Sequence, residues 1–241
     1  YKNLLKLILN NADGLCATSQ DLAVNTSLYS NKKINIIPFG VDTNIFKPSL
    51  KTSEKKYIGA IKTLEVNYGI ENVIRAFALV KDRISNFNYK LLIVSTGSQT
   101  TYLKNLVSEL KIAEVTTFTG FVEYNKIHEY HQLLKIGVYP SIQESFGVAI
   151  AETMACGGVV IASKVGGIKE IVEDTITGYL VEPCNSEKIA DKIIELLSDE
   201  EKLNRFSDNS INRIKELYSI EYMIKKINEV YKSVMYGSND D

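Results

Sequence analysis

The stretch "YPSIQESFGVAIAETMACGGVVIAS", residues 139–163, leaves a strand, passes a polar turn, enters a helical pattern near Phe146 or Gly147 and returns to an apolar strand. A strand, a helix and a strand in succession form a βαβ unit, and its two strands must lie parallel. The second strand, "GVVIAS", is apolar without alternation, as in sheets buried on both faces. This one segment therefore argues for an α/β fold with a parallel sheet covered by helices on both faces.

The pattern repeats in both directions. Upstream, "KYIGAI" precedes "GIENVIRAFALVKDRI", "YKLLIVS" precedes "TYLKNLVSELK", and "VTTFTG" precedes "NKIHEYHQLL"; downstream, a short helix from about Gly167, the strand "GYLVEP" and the helix "SEKIADKIIELLS" follow. Helical spacing puts Ile70, Val73, Ile74, Phe77 and Ala78 on one face, and Ile189, Ile193, Leu196 and Leu197 on another. Ser186 is the expected cap of that second helix. A last helix carries an apolar stripe from Ile220 through Met223, Ile224, Ile227 and Tyr231 to Val234, which needs a surface to lie on.

Residues 1–50 read differently. They hold about one and a half βα units, from "YKNLLKLILNNA" to "INIIPFG", too few to bury their own faces. The polar stretch "KPSLKTSEKK" then reads as a linker. The expectation is two regions: 1–50, the remnant of a preceding domain with its linker, and 51–241, a complete domain with C-terminal helices. The initial residue is Tyr1, which fits a piece of something longer.

Composition narrows the function. The 241 residues are 45% apolar and 24% charged, with a formal charge of −1, so nothing drives binding to nucleic acid. Residues 1–60 carry an excess of +4 and the remainder −5; solvated lysines explain this, and a peripheral attraction to an anionic membrane is the alternative. Three scattered cysteines suggest neither a disulfide framework nor a metal cage. With no run of about 18 apolar residues and no leader pattern, the expected location is cytoplasmic, extending to the inner membrane face. The sequence specifies no oligomeric state.

The turn before the central helix is an anion site in principle, because the first amides of a helix lack internal partners and sit at its positive end. Gly147 lets a ligand approach the backbone. Glu144 precedes the helix and Glu152 follows its start by roughly 8 Å at 1.5 Å per residue. That span suits a diphosphate flanked by two polyols, although a solvated Glu144 and an outward Glu152 explain the spacing as well. A second glycine turn, Gly166–Gly167 in "KVGGIKEIVEDTITGYLVEP", would open onto the same sheet edge and complete a cleft, or be a tight turn with no ligand.

Residues 144–183, with "INIIPFGVDTNIFKP" and "TFTGFV", resemble glycosyltransferase family 4, retaining transferases of the GT-B fold that use nucleotide-sugar donors. The resemblance covers the end of that family's first domain and the whole Rossmann-like second domain, the C-terminal, donor-binding half. It implies that Glu144 bonds hydroxyls of the donor sugar. Ser145, Phe146, Gly147 and Val148 would offer backbone to the sugar and diphosphate, Glu152 would hold the ribose, and Phe121 and Val122 would border the base. Gly97 stands in for a glycine-rich turn. Of the family's basic pair, Ala60 and Tyr68 occupy the usual places in "IGAIKTLEVNYGIE", leaving Lys62 to neutralise the diphosphate.

The implied function is metal-independent transfer of a sugar from a UDP- or GDP-sugar to a saccharide or lipid-linked acceptor, as in surface polysaccharide synthesis, with no cofactor. Positive charge must await the leaving diphosphate. The sequence holds no Asp-x-Asp triplet, so the helix dipole and Lys62 would supply that charge. His128 and His131 in "HEYH" read as solvated. A glycoside hydrolase would set its two carboxylates across a cleft rather than around one helix start. A dinucleotide oxidoreductase lacks its G-x-G-x-x-G. A nucleotide-sugar-binding module without activity of its own is the remaining alternative.

Overall fold

The structure, a computed structural model, describes residues 1–49, Lys51 and residues 54–236. Of the expected linker, Leu50, Thr52 and Ser53 lie outside the described residues. The first elements are α1 (Lys2–Asn11), β1 (Leu15–Ala17), α2 (Gln20–Ser27) and β2 (Ile34–Ile36), with β1 and β2 forming a parallel two-stranded sheet of their own. Then come β3 (Tyr57–Ile61), α3 (Ile70–Arg83), β4 (Lys90–Val94), α4 (Thr100–Glu109), β5 (Thr116–Phe118), α5 (Tyr124–Leu133) and β6 (Leu134–Tyr139). The chain continues through α6 (Val148–Ala155), β7 (Val159–Ser163), α7 (Ile168–Ile171), β8 (Gly178–Val181), α8 (Ser186–Ser198), α9 (Glu200–Leu217) and α10 (Ile220–Tyr236).

Six strands, β3 to β8, make one parallel sheet in the order β5-β4-β3-β6-β7-β8. The chain winds outward from β3 to β5, returns to lay β6 beside β3, and winds outward the other way. That return is a topological switch point, where the loops leaving β3 and β6 part to opposite faces and leave a crevice at the strands' carboxyl ends.

Alternation within each strand supplies both faces. Ile58 and Ala60 of β3, Ile136 and Val138 of β6, and Val159 and Ile161 of β7 join the core under α3, α4 and α8, with Phe77 at its centre. On the other face Tyr139, Val160 and Ala162 pack against Ile150, Ala151 and Met154 of α6 and against α7 and α9. Ile61, Leu92, Val94 and Leu134 pack beneath α5. The apolar runs of β3 and β7 are unbroken because both sides of these inner strands are covered, whereas the edge strand β5 is half-exposed.

Two local expectations need correction. The cap of α8 is Asn185, whose side chain accepts from the Lys188 amide, so Ser186 is the first helical residue. Val148, expected from the apolar pattern to help pack the helix on its sheet with Ile150 and Ala151, is 39% exposed, whereas those two are buried.

Candidate functional site

The sequence separates Lys62 and Glu144 by 82 positions, and the fold makes them neighbours. Lys62 leaves β3 and Glu144 lies in the turn after β6, the two strands that flank the switch point. Lys62 Nζ stands 2.5 Å from Glu144 Oε2, both side chains largely shielded from solvent. Tyr68, where a second basic residue was expected, sets its ring under the same ammonium, 4.4 Å from Nζ to centroid. It adds a cation–π contact that holds Lys62 in place and contributes no charge. Ala60 lies inside β3, opposite Ile93 of β4, and is buried in the core.

The turn that carries Glu144 is fixed by backbone. On one side a short 3-10 turn, Val66–Tyr68, clamps it: Ile142 N–H donates to Asn67 O at 2.8 Å, and Asn67 Nδ2 donates to Gln143 O at 3.1 Å. On the other side Gly167 N–H donates to Glu144 O at 3.2 Å. Gly166 has φ +45, and a β-carbon there would stand 1.9 Å from Glu144 O; one on Gly167 would stand 2.3 Å from Ser145 O. The two glycines thus serve close backbone contact: the second glycine turn packs directly against the first.

Gly147 (φ +107) leads into α6, whose internal bonding begins with Ile150 N–H to Gly147 O at 3.0 Å. The amides of Gly147, Val148 and Ala149 precede that bond and sit at the positive end of the helix. Ser145 is exposed, while Phe146 is buried, its ring edge-on to Phe39 and tilted against Tyr218. The turn can therefore present its backbone amides and the Ser145 hydroxyl to a ligand.

Glu152, fifth in α6, is nearly buried, and its carboxylate is surrounded by α5. Tyr124 Oη donates to Oε1 at 3.4 Å, and His131 Nε2 lies 3.1 Å from Oε2, outside regular hydrogen-bond geometry. His131 is fully buried, which corrects the expectation that both histidines are solvated. Phe46 packs against Tyr124, His128 and His131. So "INIIPFGVDTNIFKP" contributes two rings to this region, Phe39 behind Phe146 and Phe46 behind the histidine face. Tyr124, His128 and His131 recur at helical spacing on α5, a pattern visible in the sequence but indistinguishable there from a solvated face.

The remaining expected residues lie in the loops after β4 and β5. Gly97 packs its backbone on the loop after β3, where a β-carbon would stand 2.4 Å from Leu64 O. Beside it Ser98 donates through its amide (2.8 Å) and hydroxyl (2.5 Å) to Glu65, which holds that carboxyl below its ordinary pKa. Phe121 is 77% exposed and free to border a ligand, and Val122 packs under α5 with Ile61 and Leu92.

Residues 41–213 match the family described as Glycosyl transferases group 1. The chain is 32% identical over 182 residues to an uncharacterized glycosyltransferase of Methanocaldococcus jannaschii, covering 76% of this chain and 46% of that protein. It is 27% identical to the N-acetyl-alpha-D-glucosaminyl L-malate synthase of Bacillus anthracis, over 97% of this chain and 63% of the relative. Among solved structures, sucrose-phosphate synthase from Thermosynechococcus elongatus superposes with a TM-score of 0.82 at 25% identity, covering 97% of this chain and 61% of that one. The chain thus spans about half to three-fifths of the length of the proteins it matches. Its six-stranded parallel sheet flanked by helices has the architecture of a GT-B C-terminal domain.

Proposed function

This chain belongs to the Glycosyl transferases group 1 family, and from that premise we propose that it is the donor-binding part of a retaining, metal-independent glycosyltransferase that moves a sugar from a UDP- or GDP-sugar to a saccharide or lipid-linked acceptor. The observation that carries the reading is the Lys62–Glu144 pair at the switch point, beside the free amides that open α6.

When the bond between the sugar's anomeric carbon and the diphosphate breaks, the electron pair leaves with the diphosphate, a new bond forms from the acceptor hydroxyl oxygen, and that hydroxyl's proton passes to the departing diphosphate. Preorganised positive charge lowers the barrier to that step. Lys62 and the α6 amides provide it in one place. An arriving diphosphate competes with Glu144 for Lys62, and the released carboxylate can then accept hydrogen bonds from sugar hydroxyls. Glu152, about one turn along α6, is assigned to the ribose, and the exposed Phe121 with Val122 to the base. Retention is assigned to attack on the same face of the sugar, with no carboxylate as covalent nucleophile. Surface polysaccharide synthesis at the cytoplasmic membrane face is the setting proposed from the sequence resemblance.

Calorimetry with UDP- and GDP-sugars tests the site. Lys62→Ala and Glu144→Gln should each weaken binding about tenfold to a hundredfold, the range for losing one charge-assisted hydrogen bond; unchanged affinity removes the assignment. A chelator should leave transfer by the full-length protein unchanged, and a complete loss would end the metal-free reading. Because the chain covers only part of its relatives' length, a second reading is favoured for it in isolation: a nucleotide-sugar-binding module that does not transfer. Transfer by these 241 residues alone, at the rate of a longer protein, would refute it.

A further inference from the structure

Behind Glu152 a line of buried polar groups runs from the sheet to the carboxylate. Tyr139 Oη, at the end of β6, lies 2.5 Å from Thr153 Oγ1, and Thr153 Oγ1 lies 2.7 Å from His131 Nδ1. His131 Nε2 then faces Glu152 Oε2 at 3.1 Å. Tyr139, Thr153 and His131 are all buried. Burial raises the Tyr139 phenol above its ordinary pKa, so it stays protonated and can donate. Thr153 has one hydroxyl proton. If it accepts from Tyr139, it donates to Nδ1, and a neutral imidazole that accepts at Nδ1 carries its proton on Nε2, facing the carboxylate. No other hydrogen-bond partner of Nε2 exists among the described residues. With Tyr139 as the first donor, the protons point from the sheet towards Glu152.

We propose that His131 is a positioning residue for the donor's ribose: held by Thr153 and Tyr139, it orients the Glu152 carboxylate so that its outer lone pairs meet the vicinal hydroxyls. His131 touches no ligand in this arrangement and acts through Glu152. Tyr124, the other group on that carboxylate, sits at the exposed rim of the same face and bonds Oε1. The bond from His131 is off-axis here and tightens when the hydroxyls draw the carboxylate outward.

The proposal rests on the assignment of Glu152 to the ribose, and the test separates the two. Dissociation constants are measured by calorimetry for UDP against 2′-deoxy-UDP and for GDP against 2′-deoxy-GDP. The unaltered protein should prefer the ribonucleotide of its cognate pair by about tenfold or more, and Glu152→Gln should remove that preference. If the unaltered protein binds neither pair, or does not discriminate, the ribose assignment and the proposal fall together. His131→Phe, which keeps a ring against Phe46, should bring the ratio close to one while leaving affinity for the deoxynucleotide nearly unchanged. His131→Gln, with a side-chain amide that can donate to the carboxylate, should recover part of the preference. Thr153→Val, which releases the ring without emptying its site, should lower the preference in a protein whose melting curve shows it folded. A merely structural histidine would weaken both nucleotides equally; that result, or full discrimination in both His131→Phe and Thr153→Val, overturns the proposal and leaves the ribose assignment standing.

Discussion

At the scale of single residues, the fold gives charged side chains tasks that their positions in the sequence do not announce. Lys62 and Glu144 become one ion pair because β3 and β6 are neighbours in the sheet. Lys55 was expected in a polar linker, yet it is buried and donates to Cys156 O at 2.7 Å, the C-terminal end of the helix whose start forms the candidate site. A cation there complements the negative end of α6. Burial lowers its pKa from 10.5 to about 8. Below pH 8 both folded and unfolded chains hold the proton, and the penalty is constant. Between about pH 8 and 10.5 the unfolded chain binds a proton that the folded chain does not, so stability rises with pH across that window. At 1.36 kcal/mol per unit this gain is roughly 3 kcal/mol. Urea unfolding of the unaltered chain and Lys55→Met at pH 7 and pH 10 should show the former gaining on the latter by most of that amount. A difference that does not move with pH would mean the ammonium is solvated when folded.

At the scale of elements, the site depends on how turns are braced against one another. The glycine pair before α7 was legible as a turn, but its purpose was not, because a sequence does not show which backbone lies across from it. The structure sets Gly166 against Glu144 O, in the left-handed region that excludes most side chains. Gly166→Ala should therefore cost more than the roughly 1–2 kcal/mol of the left-handed conformation alone, and should weaken nucleotide binding by displacing Glu144. Gly120→Ala offers the comparison: φ is +73, but nothing lies within 4 Å of the added carbon, so only the conformational cost applies. Paired unfolding curves read the difference, and equal losses would show that the Glu144 turn shifts freely. His131 was misread for a related reason. The neighbouring α5 residues Ile127, His128, Tyr130 and Gln132 are only half-buried, and the docking of α5 against α6 and Phe46 buries His131 completely.

At the scale of the whole molecule, α10 returns the chain to its beginning. Ile220 N–H donates to Val41 O at 3.1 Å, Met223 Sδ accepts from Gly40 N–H at 3.3 Å, and Val234 reaches Gly14. None of its residues is buried: Met223, Ile227 and Val230 face Gly14, Ile37 and Phe39 across an open cleft, while Ile224 and Tyr231 of the stripe stay exposed. Deleting residues 220–241 should leave the six-stranded sheet cooperative, while the β1–β2 amides lose hydrogen-exchange protection; global unfolding of the shortened chain would contradict this. No helix among the described residues is long and apolar enough to cross a membrane. By itself the sequence determined the strand and helix succession, the parallel sheet and the turn before α6 with its flanking glutamates, because hydrophobic period and turn chemistry are local. Only the tertiary structure decided that Lys62 meets Glu144, that Gly166 braces the turn, and that Tyr139, Thr153 and His131 back Glu152. Those contacts join elements far apart in the chain, and the winding order of the sheet, which no local pattern encodes, brings them together.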